Sequence, residues 1–110
     1  MRDNRGRLID IIEAIDAILS RDSTREDLES VPNLQIWVLH HLQIIGEAMA
    51  RITPDFRETF NEVPWQQAIG MRNIIVHGYD RVDLDIIQEV LDRDLGPLRA
   101  QISSILERME

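Results

Sequence analysis

The segment from Gly70 to Tyr79 combines four side chains that can handle phosphate and protons. Arg72 carries a permanent positive charge that suits a phosphate, and His77 can accept or donate a proton near neutral pH. Asn73 and Tyr79 add an amide and a phenol within the same eight positions. Cleaving an RNA phosphodiester without a metal needs a base for the 2′-hydroxyl proton, an acid for the departing oxygen and a cation at the phosphate. Arg72 and His77 could supply such groups.

One histidine cannot comfortably act as base and acid at once. A two-fold dimer would solve this by placing two copies of Arg72 and His77 across one cleft. The predicted helix from Pro32 to Ile52 has an apolar arc wider than a surface helix needs, which gives a surface for a second chain. The segment therefore predicts half of a site, with a homodimer as its complete form.

A purely structural interpretation uses the same residues and stays open at this point. Arg72 could pair with one of the abundant carboxylates, and His77 could favour the negative end of a helix. The ring of Tyr79 could pack against the rest of the protein. An arginine and a histidine five residues apart are common in helices, so their spacing alone favours this interpretation.

The elements that must position these residues are all predicted to be helices. Apolar residues recur every three or four positions, the spacing that gives a helix one buried face, and no segment alternates as a strand does. We therefore expect an all-α fold, an antiparallel bundle of about five or six helices in a single domain covering residues 1–110. The predicted helices are Asn4 to Arg21, Pro32 to Ile52, Pro54 to Phe60, a helix from Pro64 that ends before Gly78, one capped by Asp83, and a last one beginning at Gly96 and Pro97.

Within the helix that begins at Pro64, Arg72 shares the apolar face of Ile69 and Ile75. A guanidinium there costs free energy unless it is paired, emerges into a cleft or meets an anionic ligand. Asn73 and His77 are four positions apart and share an adjoining face. The connection from Asp22 to Glu29 is expected to be polar, with room for a helical turn.

Composition restricts the possible functions and locations. The 110 residues are 44% hydrophobic and 29% charged and contain no cysteine, so we expect a folded protein without disulfides, in the cytoplasm. No apolar run is long enough to span a bilayer, and we expect no membrane partner. The net charge of −8 would repel an extended duplex, so RNA contact should be confined to a local cleft. His40 and His41 lack a convincing metal spacing, and neither a metal nor a cofactor is expected.

The segment resembles the signature of the HEPN superfamily, and more closely that of its HepT-like toxin branch, in which an arginine, four residues, a histidine, one residue and a tyrosine follow one another. Arg72, His77 and Tyr79 match this pattern, and Asn73 matches the polar residue that usually follows the arginine. The resemblance covers nearly the whole chain and includes 45–48 (Ile-Gly-Glu-Ala), 63–65 (Val-Pro-Trp), 70–73 (Gly-Met-Arg-Asn) and 82–83 (Val-Asp).

The resemblance implies a helical ribonuclease toxin that acts as a homodimer, with Arg72 and His77 as catalytic residues and Asn73 in support. It also implies a cognate antitoxin of the minimal nucleotidyltransferase type, which silences the toxin by transferring AMP from ATP to Tyr79. The alternative is a non-catalytic helical module that binds a nucleotide or the nucleotidyltransferase.

Overall fold

The computed structural model describes residues 3–72 and 84–109, and within these ranges the chain is helical and has no strand. This confirms the all-α bundle. In chain order the elements are α1 (Asn4–Leu19), α2 (Arg25–Ser30), α3 (Leu34–Arg51), α4 (Pro54–Thr59), α5 (Trp65–Ile69), a 3₁₀ turn (Gly70–Arg72), α6 (Leu84–Glu89), a π-helical turn (Val90–Asp94) and α7 (Leu95–Arg108).

Helices α1 and α3 pack side by side in opposite directions at the centre of the bundle. The start of α1 is tied to Thr53, between α3 and α4, because Asn4 Nδ2 donates to Thr53 Oγ1 at 3.0 Å and Thr53 N donates to Asn4 Oδ1 at 3.2 Å. At the other end, the Arg21 guanidinium lies over the Trp37 ring, 5.8 Å from its centroid. The two helices bury the apolar residues that the sequence spacing predicts, namely Leu8, Ile11, Ile15, Ile18, Leu34, Val38, Leu42, Ile45 and Met49.

The connection after α1 holds a complete short helix, more than the expected helical turn. Thr24 and Asp27 form a capping box in which Asp27 N donates to Thr24 Oγ1 at 3.1 Å and Thr24 N donates to Asp27 Oδ2 at 3.0 Å. These bonds satisfy backbone groups that a helix start leaves unpaired. The hydrogen bond from the Thr24 backbone also holds the pKa of Asp27 below its usual value. Burial of Leu28 then fixes α2 against the core.

The prediction of a separate last helix starting at Gly96 and Pro97 is wrong, because α6, the π-helical turn and α7 form one continuous helical run. In the wider turn, Leu95 N donates to Val90 O, five residues earlier. In a regular α-helix the ring of Pro97 would clash with the carbonyl of Arg93, so a wider turn directly before it lets the helix continue. The run packs on α1, and Arg99 Nε donates to Asp16 Oδ1 at 2.5 Å.

Within the described residues, no helix is both long enough and apolar enough to cross a membrane.

Candidate functional site

Arg72 is the motif residue that the structure describes, and it lies at the end of the 3₁₀ turn against α3. Its Nη1 donates to Glu47 Oε1 at 3.2 Å. The Arg72 side chain is 37% exposed and that of Glu47 is 44% exposed, so the pair is reached by water. A guanidinium has five N–H donors, and the bond to Glu47 uses one of them.

The backbone of Arg72 comes unusually close to α3 at Gly46. A Cβ atom at position 46 would lie 2.8 Å from Arg72 N, 2.8 Å from Arg72 Cβ and 3.1 Å from Ile69 O. Gly46 is therefore the residue type that allows the 3₁₀ turn to pack directly on the middle of α3. Its neighbour Glu47 reaches the guanidinium, so two consecutive residues of α3 fix both ends of Arg72.

The segment before the motif is anchored by Trp65 at the start of α5. The buried indole Nε1 donates to the carbonyl oxygens of Phe60 at 3.0 Å and Arg57 at 3.2 Å. Arg57 in turn donates from Nε to Ile52 O at 3.1 Å and from Nη2 to Ala50 O at 2.7 Å, which satisfies carbonyls at the end of α3. The end of α3, α4 and the start of α5 thus form one hydrogen-bonded unit that sets where the motif begins.

A groove of about 870 Å³ runs along α1 and α3 and reaches Glu47, the partner of Arg72. Its wall contains apolar groups from Ile44 and Ala48 and charges of both signs. It is lined by Arg7, Asp10, Glu13, Ala14, His40, His41, Gln43, Ile44, Glu47, Ala48 and Arg51. The groove leaves this part of the surface of α1 and α3 open to solvent.

His40 and His41 are neighbours on α3 that differ in exposure. His40 is exposed, whereas His41 is half-buried and donates from Nδ1 to the Trp37 carbonyl oxygen at 2.8 Å. The ring of His41 also lies 4.5 Å from that of Trp37, measured between centroids. Across residues 3–72 and 84–109, no three His, Cys, Asp or Glu side chains are grouped so that they could hold a metal ion.

The helix carrying the motif differs from the prediction of one continuous α-helix from Pro64. In the structure α5 ends at Ile69, and the chain then forms the 3₁₀ turn Gly70–Arg72. The 3₁₀ turn is also the place where the backbone of Arg72 comes close to Gly46 of α3. The predicted site residues Asn73, His77 and Tyr79 fall in the segment 73–83, outside the described residues, and their roles stay predictions.

The contact of Glu47 with Arg72 and the packing role of Gly46 were not predicted from the sequence. A glycine in the middle of a long helix was the available signal, because glycine lowers helix stability and so its presence there often has a packing reason. The guanidinium of Arg72 is paired with a carboxylate at the edge of the bundle, which is one of the ways in which its position on an apolar face can be tolerated.

Comparisons with known proteins identify the family. Residues 8–105 match the model of the family described as Ribonuclease HepT-like. The chain is 31% identical over 106 residues to "Probable ribonuclease HepT" of Thermococcus cleftensis, covering 94% of this chain and 96% of the relative. It is equally 31% identical over 106 residues to a Methanocaldococcus jannaschii protein named as an RNase, covering 94% of this chain and 97% of the relative.

Another M. jannaschii protein, whose name joins a gamma-glutamylcyclotransferase to an RNase, is 33% identical over 111 residues. This alignment covers 99% of the present chain, which spans only half the length of that relative. No solved structure matches the chain. The family match over nearly the whole length, together with relatives of similar size, shows that the chain belongs to the HepT-like ribonuclease family.

Proposed function

We propose that this protein is a metal-independent endoribonuclease and the toxin of a toxin–antitoxin pair. The observation that carries the proposal is the family match over residues 8–105, which includes Arg72, His77 and Tyr79 at the spacing of the family motif. The RNase names of its relatives support the same activity. The exposed edge of Arg72 supports it physically, because this guanidinium can still bind a phosphate while paired with Glu47.

In the proposed reaction the 2′-hydroxyl oxygen attacks the adjacent phosphorus while a base removes its proton. The bond to the 5′-oxygen breaks, and an acid protonates that oxygen as it leaves, so that a 2′,3′-cyclic phosphate and a 5′-hydroxyl are formed. His77 of one chain is the base and His77 of the second chain is the acid. Arg72 stabilises the negative charge on the phosphate oxygens, and Asn73 assists as a neutral hydrogen-bond donor.

Two histidines require a homodimer, and the groove on α1 and α3 is our candidate for its interface. Glu47, the partner of Arg72, is one of the residues that line the groove, so a second chain seated there would lie next to the site. Its two arginines and three carboxylates allow opposite charges to meet across a two-fold axis.

The interface is tested by Ala48→Glu, which adds a carboxylate to the groove wall. The matched control is Ala50→Glu, the same substitution two residues further along α3 at a position that does not line the groove. Sedimentation analysis should find the wild type and Ala50→Glu as dimers and Ala48→Glu shifted towards monomer with lower RNA cleavage. A wild type that is monomeric and active would refute the composite site.

We further propose that a minimal nucleotidyltransferase antitoxin silences the toxin at Tyr79. The phenol oxygen of Tyr79 attacks the α-phosphorus of ATP, a new O–P bond forms, pyrophosphate leaves and the phenol proton goes to solvent. The AMP group would place a bulky anion beside Arg72 and His77 and so occupy the phosphate position.

Mass spectrometry tests this modification. The wild type incubated with ATP and the partner should gain one or more AMP units and lose RNA cleavage. Tyr79→Phe should gain none, and modification that persists in Tyr79→Phe would place the acceptor elsewhere.

The cleavage assay also separates the enzyme from the non-catalytic alternative. Purified wild type should cut RNA in EDTA, and His77→Ala should not, while dimer formation and partner binding remain. If the unmodified wild type cleaves no RNA under any condition, the chain is a binding module for a nucleotide or for the nucleotidyltransferase.

A further inference from the structure

The Glu47–Arg72 pair lies at the surface of the protein, where ion pairs contribute little to stability. Both side chains are more than one-third exposed, and the single contact between Nη1 and Oε1 is 3.2 Å long. Water competes for both groups and salt screens their attraction. The pair therefore needs an explanation other than stabilisation of the fold.

The geometry around Arg72 is fixed from one side by two neighbouring residues. Gly46 lets the backbone of Arg72 rest on α3, and Glu47 holds the far end of the same side chain. An arginine side chain has many rotamers, and holding only its backbone would leave the guanidinium free to point in several directions. Holding both ends selects one direction, and among the described residues the bond to Glu47 occupies one of the five N–H donors.

We propose that Glu47 is a positioning residue that aims the Arg72 guanidinium at the scissile phosphate. This inference rests on the proposed ribonuclease function and concerns the same site. Glu47 acts through Arg72 and does not contact the RNA. The Glu47 carboxylate also places a negative charge near the bound phosphate. This charge repels the phosphate and weakens RNA binding in the ground state.

The proposal predicts that substitutions of Glu47 lower kcat without raising KM. Without Glu47 the guanidinium loses its fixed direction, so kcat should fall, whereas removal of a negative charge should leave KM unchanged or lower it. Misplacement of a catalytic group by about 1 Å can cost about 100-fold in rate, so we expect Glu47→Ala to lower kcat by about 10- to 100-fold. Glu47→Gln should fall between wild type and Glu47→Ala, since its amide oxygen can still accept from Nη1.

The matched control is the pair of Glu62 with Arg108, which joins different parts of the bundle. Arg108 Nη2 lies 2.6 Å from Glu62 Oε1, and the Glu62 side chain is 42% exposed, close to the value for Glu47. Glu62→Gln removes one carboxylate of similar exposure without touching Arg72. It should keep the wild-type kcat and KM, which excludes a general effect of the change in net charge.

A spectroscopic measurement tests the orientation independently of cleavage. The ¹⁵N relaxation of the Arg72 Nε–H group, identified by loss of its signal in Arg72→Lys, reports how restricted the guanidinium is. The order parameter should drop in Glu47→Gln and Glu47→Ala and stay at the wild-type value in Glu62→Gln. An unchanged order parameter would overturn the proposal.

The two measurements keep this inference distinct from the proposed function. If the wild type does not cleave RNA, the proposed ribonuclease function is refuted. The role of Glu47 in directing Arg72 at a scissile phosphate is then refuted as well, even if the relaxation data show that Glu47 restrains Arg72. A wild type that cleaves RNA while Glu47→Ala has an unchanged or higher kcat refutes only the role of Glu47.

Discussion

Gly46 gives a quantitative test of how the motif segment is held against α3. Alanine is normally the better residue inside a helix, and replacing glycine by alanine gains about 1 kcal/mol from helix propensity. At position 46 the new Cβ would lie 2.8 Å from both Arg72 N and Arg72 Cβ, and 3.1 Å from Ile69 O. Two of these three atoms belong to the backbone, so the contact cannot be relieved by rotating a flexible side chain.

Overpacking of this kind costs about 1–3 kcal/mol, which cancels or exceeds the gain in helix propensity. We therefore expect Gly46→Ala to have unchanged stability or to lose up to about 2 kcal/mol, where propensity alone predicts a gain of about 1 kcal/mol. The shift of Arg72 away from α3 should also lower RNA cleavage, because its guanidinium would leave Glu47.

The matched control is Gly70→Ala. Gly70 opens the 3₁₀ turn with right-handed helical backbone angles, and beyond its chain neighbours and its own turn a Cβ atom there would meet no atom within 4 Å. This variant should show the backbone gain alone, about 0.5–1 kcal/mol. Urea unfolding followed by tryptophan fluorescence should then separate the two variants by about 1–3 kcal/mol, with Gly46→Ala the less stable. If Gly46→Ala is as stable as Gly70→Ala and keeps full activity, the close packing of Arg72 on α3 is refuted.

Two further predictions concern hydrogen bonds elsewhere in the bundle, at Trp65 and at Asp16. Trp65→Phe removes the donor that serves the carbonyls of Arg57 and Phe60, and should lower the free energy of unfolding by about 1–3 kcal/mol in urea titrations; an unchanged midpoint would contradict the anchoring role. The hydrogen bond from Arg99 holds the pKa of Asp16 below its usual value, so the pair stabilises the fold above about pH 4 and this contribution is lost as the pH falls through the folded-state pKa. Because both groups are exposed, Asp16→Asn should cost less than about 1 kcal/mol at neutral pH, and the difference from wild type should vanish in acid; a difference that grows in acid would show the opposite sign.

The central helices were predictable because their signal is local. The predicted spans Asn4 to Arg21 and Pro32 to Ile52 differ by two residues or fewer at each end from α1 and α3. Each position in these helices is buried or exposed according to the three-and-four spacing of its apolar neighbours. The 3₁₀ turn at Gly70–Arg72 and the π-helical turn that leads into α7 were not predicted, because both depend on packing or backbone adjustment beyond the local pattern. Gly96 and Pro97 look like a boundary in sequence, but a π-helical turn carries the helix past them.

The candidate site could be predicted only as a set of residue types. Arg72 was expected to need a partner because it lies on an apolar face, but its partner Glu47 is 25 positions away along the chain. Many carboxylates in this acidic chain could have filled that role, and only the packing of the 3₁₀ turn on α3 selects one. The close approach of Arg72 to Gly46 depends on the same packing, so the spacing of residues in the sequence could not predict it either.

The most direct test of the proposed function is RNA cleavage by the purified, unmodified protein in EDTA. The proposed function predicts cleavage by the wild type, with 2′,3′-cyclic phosphate ends on the products, and its loss in His77→Ala, which should fold and dimerise like the wild type. Equal cleavage by wild type and His77→Ala, or no cleavage by either, would contradict the assignment of His77 as the proton-transfer group of a ribonuclease.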